Sequence, residues 1–457
     1  MSKESNKDLA QLVIIVLAMG AAALFLSRWL SSRENSAAQE YVDALDDNSI
    51  ERDNLNMGVV VKDLLSKIKK LEREKTVIGS KENNLAALDM AKKSIVLLKN
   101  ESSLLPIKKN GQKITLIGHL ANDNNSPLGN WRGAGESNSA VTVLEGLENY
   151  GKNSITYKKG VDLYYGETNF HNRVKLNHTD KTGFKEAKLA AKSADIVVMV
   201  LGEEGFQSGE GRSRTELGLP GLQQELLEEV YKINKNIVLV LMNGRPLNLT
   251  WADENIPAIL ETWHLGTQSG NAIAQVLYGD YNPSGKLTMS FPRNVGQVPL
   301  YYNYKKTGRP GASSAEVTKS TYADVENSPL YPFGYGLSYT SFSYSDFSLS
   351  SKEITRDDTI IASVKITNTG KVKGKEVVQM YIRDHYGSLA RPVKELKGFE
   401  LLELNPGETK EVSFEIDNSK LLYYTANDRW ESENGKFSVF IGGDSDVKEN
   451  KSFDLIN

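Results

Sequence analysis

Apolar and polar positions fall into distinct textures along this chain. From about Asn83, short apolar runs alternate with helical patterns. LAALDMAKKSIVLLKN reads as a helix leading into an apolar segment. ITLIGHL, Ile114 to Leu120, has the continuous apolar character of a buried strand and ends in a loop rich in Asn, Gly and Ser. VTVLEGLENYG predicts a helix with a glycine stop. FKEAKLAAKSA predicts another helix, followed by the strand run DIVVMVLGE. LPGLQQELLEEVYKI predicts a helix opened by Pro220, and NIVLVLMNGRP a further apolar run. AILETWHLG and GNAIAQVLYG follow as strand and helix. This alternation predicts, over residues 83–290, an α/β sandwich: a mostly parallel sheet with helices on both faces. Ligand loops in such sheets lie beyond the carboxyl ends of the strands, and GEEGFQSGEGRSR and NGRP fit that place. Residues 291–342 form a linker rich in Tyr, Pro and Gly. Over 343–457 the pattern changes to period two, as in TIIASVKITNTG and EVVQMYIRD, with turns such as NPGE between. That pattern predicts an all-β, immunoglobulin-like sandwich.

The N-terminus has a different texture. After a tail of residues 1–8, LAQLVIIVLAMGAAALFLSRWL, Leu9 to Leu30, is long and apolar enough to cross a bilayer as a helix. A transmembrane anchor or uncleaved signal fits it. A cleavable signal peptide competes, because Gly20 to Ala23 are small, but the apolar run continues past them through Leu26. Lys3 and Lys7 before the run, and Arg28 and Arg33 after it, leave its orientation open. Residues 31–82 read as a polar helical stalk, with Val61, Leu65 and Ile68 at helical spacing.

Composition narrows the chemistry. The 457 residues suffice for about three domains. A net charge of −3 without a basic tract excludes nucleic acid as a partner. No cysteine is present, which removes disulfides, thiolate nucleophiles and cysteine-ligated metals. The five histidines lack metal-ligand spacing, and no phosphate-binding glycine loop occurs, so no metal or cofactor is expected.

What remains is carboxylate chemistry. SGEGRSRTELGLP places Glu210 in a glycine-rich loop with Arg212 and Arg214 close behind. A nearby cation lowers a carboxyl pKa, whereas a general acid needs a raised one. An acid role for Glu210 therefore requires both arginines to point elsewhere, or a covering surface that desolvates the carboxyl. Trp131, in LGNWRGAG, could stack on a sugar, and Arg132 could hydrogen-bond a hydroxyl. Asn243 to Pro246 form a strand-ending turn in which Arg245 ties neighbouring loops; His264 reads as structural.

Five motifs now coincide in order: SIVLLKNESSLLPI, LVLMNGRPL, GNAIAQVLYGDYNPSGKLTMSFP, LYPFGYGLSYTSF and RPVKELKGFELLELNPGET. Over about four-fifths of its length the chain resembles the C-terminal half of family 3 glycoside hydrolases of the β-glucosidase type. The resemblance implies an α/β sandwich followed by a fibronectin type III-like sandwich. It also implies retaining, exo-acting cleavage of β-linked glucosides and related sugars, with Glu210 as the acid/base. In such enzymes the nucleophilic aspartate comes from a preceding TIM barrel, a fold of about 250 residues. Only about 80 residues precede the resemblance here. Ser345-Asp346-Phe347 mimics the nucleophile motif but stands too late in the chain and reads as strand edge. The expectation is therefore an acid/base half without a nucleophile, inactive alone and completed by a TIM-barrel partner chain in trans. The competing expectation is a non-catalytic, membrane-tethered carbohydrate-binding or interaction module. The expected ligand is a β-linked oligosaccharide or glucoside. The soluble domains are expected to be extracytoplasmic, in a periplasm, or secreted if the N-terminus is cleaved.

Overall fold

The computed structural model describes residues 77–133, 135–311 and 318–457. The Leu9–Leu30 run and almost all of the 31–82 stalk lie outside these. Among the described residues, no helix is long and apolar enough to cross a membrane. Residues Ser80–Asn457 form one compact unit.

Helix α1 (Lys81–Ser94), capped by the Ser80 side chain, opens the first lobe. There follow β1 (Val96–Asn100), β2 (Asn110–Ile117), α2 (Val143–Tyr150), β3 (Lys152–Lys158), α3 (Phe184–Lys192) and β4 (Ile196–Gly202). The lobe continues through α4 (Gln223–Tyr231), β5 (Ile237–Met242), α5 (Thr250–Asn255), β6 (Ala258–Glu261) and α6 (Ser269–Leu277). The strands form a six-stranded sheet in the order β1-β6-β5-β4-β2-β3. All neighbours pair in parallel except β1 with β6.

Strand residues alternate between two cores. Val198, Val200, Val238 and Val240 pack under α1, α2 and α6. Val197, Met199, Leu239 and Leu241 pack under α3, α4 and α5. Burial on both faces is why β4 and β5 are apolar at nearly every position. The chain leaves β2 toward β3, then returns across β2 to β4. The loops after β2 and β4 thus flank the point where strand order reverses, a crevice where such sheets bind ligands.

Helix α4 starts at Gln223, three residues after the proline expected to open it. Pro220 to Leu222 instead make a turn through Gly221 (φ 66°). The buried Gln223 amide then ties the helix to β4, accepting from Gly202 N at 3.0 Å and donating to Gly202 O at 2.7 Å.

Helices α2 and α6 touch backbone to backbone. A Cβ at Gly146 would lie 2.1 Å from Gly270 O, and one at Gly270 would lie 1.8 Å from Thr142 O. Thr142 also caps α2, in a reciprocal box with Glu145. Gly146→Ala must push the helices apart. We expect a loss of about 1–3 kcal/mol, read as a lower thermal melting point, whereas an unchanged melt would contradict the close approach.

The second lobe packs two sheets around one core. One contains β7 (Phe342–Leu349), β8 (Ile360–Asn368) and β11 (Thr409–Ile416). The other is built on β9 (Gly374–Asp384), β10 (Glu395–Leu404), β12 (Gly435–Gly442) and β13 (Asn450–Leu455). Asp346 lies on edge strand β7 at φ 54°, beside a register shift, and pairs with Lys365 at 2.9 Å.

A strap, residues 331–340, stitches the lobes together. Leu337 N donates to Leu97 O at 2.8 Å, along the open side of β1. Tyr335 OH donates to Leu98 O at 3.1 Å. On the other flank Gln379 Nε2 donates to Gly334 O at 3.0 Å. The buried Lys286–Glu376 ion pair, at 3.2 Å, also joins the lobes.

Candidate active site

Four strand-end loops converge at the carboxyl edge of the sheet. The loop after β4 carries Glu210, which is exposed between Gly209 (φ 111°) and Gly211 (φ 67°). Both glycines adopt backbone conformations that L side chains rarely take. Space adds to the requirement at Gly209, where a Cβ would sit 2.1 Å from Asn130 Nδ2. That Asn130 amide, from the loop after β2, donates to Ser208 O at 2.8 Å. From the loop after β5, Gly244 approaches so closely that a Cβ there would fall 1.9 Å from Ser208 Oγ. The Glu210 loop is therefore clamped from two sides just before its carboxylate.

The two arginines are turned away. Arg212 Nε donates to Phe206 O at 2.9 Å, and its Nη2 bonds Phe170 O. Arg214 Nη1 pairs with Glu203 Oε1 at 2.8 Å while Nη2 donates to Gly218 O at 3.0 Å. Among the described residues, Glu210 has neither a hydrogen-bond nor an ion-pair partner. Glu203 is fully buried, and it binds a second cation through Arg245 Nε at 3.0 Å. Arg245 also bonds Gln207 O, so it ties the loops after β4 and β5. Removing one partner from such a buried network leaves the others uncompensated.

On the other side of the crevice, Trp131 is 70% exposed. The Arg132 guanidinium lies 4.5 Å over the Phe206 ring and bonds Asn125 Oδ1. Beside it, between the loops after β2 and β3, opens a cleft of about 610 Å³ lined by Asp123, Arg132, Tyr157, Tyr164 and Thr168 among others. Its polar walls and size suit a small polyhydroxylated ligand. Asp123 is spent on its own loop, accepting from Asn125 N and Ser126 N at 2.7 and 3.0 Å.

Residues 95–339 match the model of the glycosyl hydrolase family 3 C-terminal domain, more than half of the chain, and 376–445 match a fibronectin type III-like domain. The chain belongs to glycosyl hydrolase family 3. A periplasmic beta-glucosidase of Salmonella typhimurium is 47% identical over 380 residues, 81% of this chain and 50% of that protein. A beta-xylosidase of Formosa agariphila is 41% identical over 397 residues, 85% of this chain and 52% of its own. A beta-glucosidase from Listeria innocua, solved with glucose and, as a mutant, with laminaribiose, superposes with a TM-score of 0.76 for the glucose complex. Its identity to this chain is 35%, over 83% of this chain and 51% of that one. The family 3 chain described here thus spans about half the length of these relatives.

Within this family 3 lobe, three further titratable groups sit at or just beyond the ends of β4 and β6, and Glu261 among them escaped the sequence reading. Glu204 caps the turn after β4, accepting from Phe206 N at 2.7 Å, while its Oε1 has no hydrogen-bond partner among the described residues. Burial pushes its carboxyl above the usual range. His264 lies at the end of β6 with Nε2 3.5 Å from Glu203 O, and burial lowers its basicity, favouring neutral imidazole. Glu261, the last residue of β6, is fully buried. It accepts from Asn243 Nδ2 at 3.0 Å and Trp263 N at 2.8 Å. These bonds favour the anion, but desolvation outweighs them and pushes the carboxyl up to about 8.

The folded chain therefore holds this proton at pH values where the unfolded chain has released it. The stabilisation is complete below the ordinary value of 4.5 and drains as pH rises toward about 8. Its slope approaches ~1.4 kcal/mol per pH unit inside that window. Glu261→Gln, which is neutral throughout, should flatten the fall in melting temperature between about pH 5 and 8. Parallel melting curves for both proteins would show that Glu261 is ionised in the fold.

Proposed function

We propose that these loops form the acid/base half of a retaining, exo-acting β-glucosidase-type site. Glu210 protonates the glycosidic oxygen as the bond breaks, then draws the proton from the water that releases the sugar. The observation that carries this reading is the presentation of Glu210: exposed on a clamped loop, with both neighbouring arginines bonded to other groups. Trp131 offers a stacking face and Arg132 a donor edge at the cleft. The substrate is a β-linked oligosaccharide or glucoside, in keeping with the sugars bound to the Listeria enzyme.

Retention requires a second carboxylate about 5 Å away. Glu203 and Glu204 are buried in structural roles, and Glu216, six residues after Glu210, stands on the flank of the same loop. A family 3 TIM-barrel domain supplies it, so residues 80–457 by themselves are inactive. The Salmonella relative's name supports a periplasmic setting, with Leu9–Leu30 as tether; cleavage of that segment would give a secreted form. The exposure of Trp131 favours a second reading, a sugar-binding module without catalysis.

The deciding experiment assays the chain on 4-nitrophenyl β-glucoside, alone and mixed with a separately produced family 3 barrel. Turnover only in the mixture is the expected result. Turnover by the chain alone, abolished in Glu210→Gln, would place the nucleophile within the chain. No turnover in any mixture, with sugar binding weakened by Trp131→Ala, would establish the second reading.

A further inference from the structure

Far along the chain from the Glu210 loop, large aromatic side chains are exposed at one end of the second lobe. Two segments meet there: the 384–391 loop after β9, and a short ribbon in which Tyr423–Tyr424 pairs with Trp430–Glu431. They are firmly joined. Ser388 N donates to Tyr423 OH at 3.0 Å and to Glu433 Oε2 at 2.6 Å. Ala426 N donates to Ser388 Oγ at 3.2 Å, and the Arg391 guanidinium lies 3.8 Å over the Tyr423 ring. On this frame Tyr386 is 72% exposed, Trp430 68% and Tyr424 48%. The Tyr424 and Trp430 rings stand edge to face, 6.0 Å apart, on one side of the ribbon. On the other side opens a depression of about 450 Å³, lined by Tyr386, Arg356, Asn427, Glu431, Glu433 and Asn434.

Hydrogen-bonding groups around the depression are fixed before any ligand arrives. Asn427 Nδ2 and Thr425 Oγ1 each donate to Glu431 Oε1 at 2.8 Å. Arg356 Nη2 donates to Asn434 Oδ1 at 2.7 Å. Exposed aromatic residues scattered singly need no explanation. Here three share one braced frame.

The chemistry discriminates among occupants. The centre of a protein interface is depleted of charge, yet the Tyr386 ring is bordered by carboxylates, a guanidinium and amides. A nucleic acid needs a positive surface, and Glu431 and Glu433 outnumber Arg356 in the depression. A sugar chain presents C–H faces to aromatic rings and hydroxyl edges to amides and carboxylates, and it is uncharged.

We propose that this end of the fibronectin type III-like lobe is a second glycan-binding surface, taking an uncharged β-linked polysaccharide. Tyr386, on the rim of the depression, is the stacking platform beside it, Trp430 offers a second face on the far side of the ribbon, and the depression between Arg356 and Glu433 receives hydroxyls. The surface is independent of Glu210 and operates whether or not the strand-end loops catalyse. It would hold the chain on a polymer while shorter chain ends reach the other lobe.

Affinity electrophoresis of the full chain through gels containing laminarin, mixed-linkage β-glucan or xylan tests this. At least one polymer should retard the chain. The Tyr386→Ala/Trp430→Ala double variant should bind that polymer at least tenfold more weakly than the parent. Both side chains are exposed, so an unchanged thermal melt verifies that the double variant folds. The proposal is overturned if no polymer retards the chain, if the double variant migrates like the parent, or if Trp131→Ala alone abolishes retardation. Because the readout is polymer binding, loss of glucoside turnover leaves it untouched.

Discussion

Glu210→Gln, in the chain combined with a family 3 barrel, should lower kcat/KM toward cellobiose about 10²–10⁴-fold, the usual worth of a positioned general acid. The loss should depend on the leaving group. A sugar alkoxide departs poorly without a proton, so the first step suffers in full. A nitrophenolate departs readily, so its first step should be far less affected. With the aryl glucoside the second step then limits, because water has lost its base. A burst of nitrophenol and a lowered KM are expected. Azide, which attacks without needing a base, should restore part of the turnover. Equal losses for both substrates, with neither burst nor azide effect, would show that Glu210 only helps to hold the loop.

Glu203→Ala should be the most damaging change to the loop's architecture. The carboxylate is fully buried and holds Arg214 at 2.8 Å and Arg245 at 3.0 Å. Breaking a buried ion pair from one side costs about 3–5 kcal/mol, because the remaining charge is left uncompensated. Two cations are left here. Arg214 stands four residues beyond Glu210 and Arg245 anchors Gln207 three residues before it, so the loop loses hold at both ends. Expected outcomes are a lower melting temperature and new protease cleavage between Phe206 and Leu217. Glu203→Gln, which keeps an acceptor but not the charge, should fall between the parent and the alanine variant. A Glu203→Ala protein that melts and resists protease like the parent would remove this network as the loop's anchor.

Legibility from the sequence followed burial. Strands β4 and β5 are apolar at nearly every position because both faces are covered, and they stood out at once. Strand β3, KNSITYK, was missed. It lies at the edge of the sheet, and its exposure alternates too weakly among polar residues to signal a strand. The antiparallel setting of β1 could not be read, since orientation is a property of pairing and not of composition. The setting of Glu210 in an exposed, glycine-flanked loop was legible because its motif is local. The turning away of Arg212 and Arg214 was not, because their acceptors include Phe170 and Glu203, which only the fold brings near. A local signal for Glu203 and Glu261 did exist: each ends an apolar strand run, and a carboxylate in that place must be paired or protonated when buried. The clamp of Asn130 on Ser208 joins residues 78 apart and leaves no such trace.

The strap along β1 bears on how such a molecule can be cut and recombined. Leu337 occupies the flank of Leu97, and the same segment grips Gln379 through Gly334. Severing the polypeptide near residue 290 would not liberate an independent first module. It would uncover unpaired backbone on an apolar border, a template for aggregation. A gene fusion that keeps the sheet must carry the downstream sandwich with it, so the two are inherited as a couple. New partners can be grafted at the carboxyl rim of the sheet, where the strand-end loops already lie open.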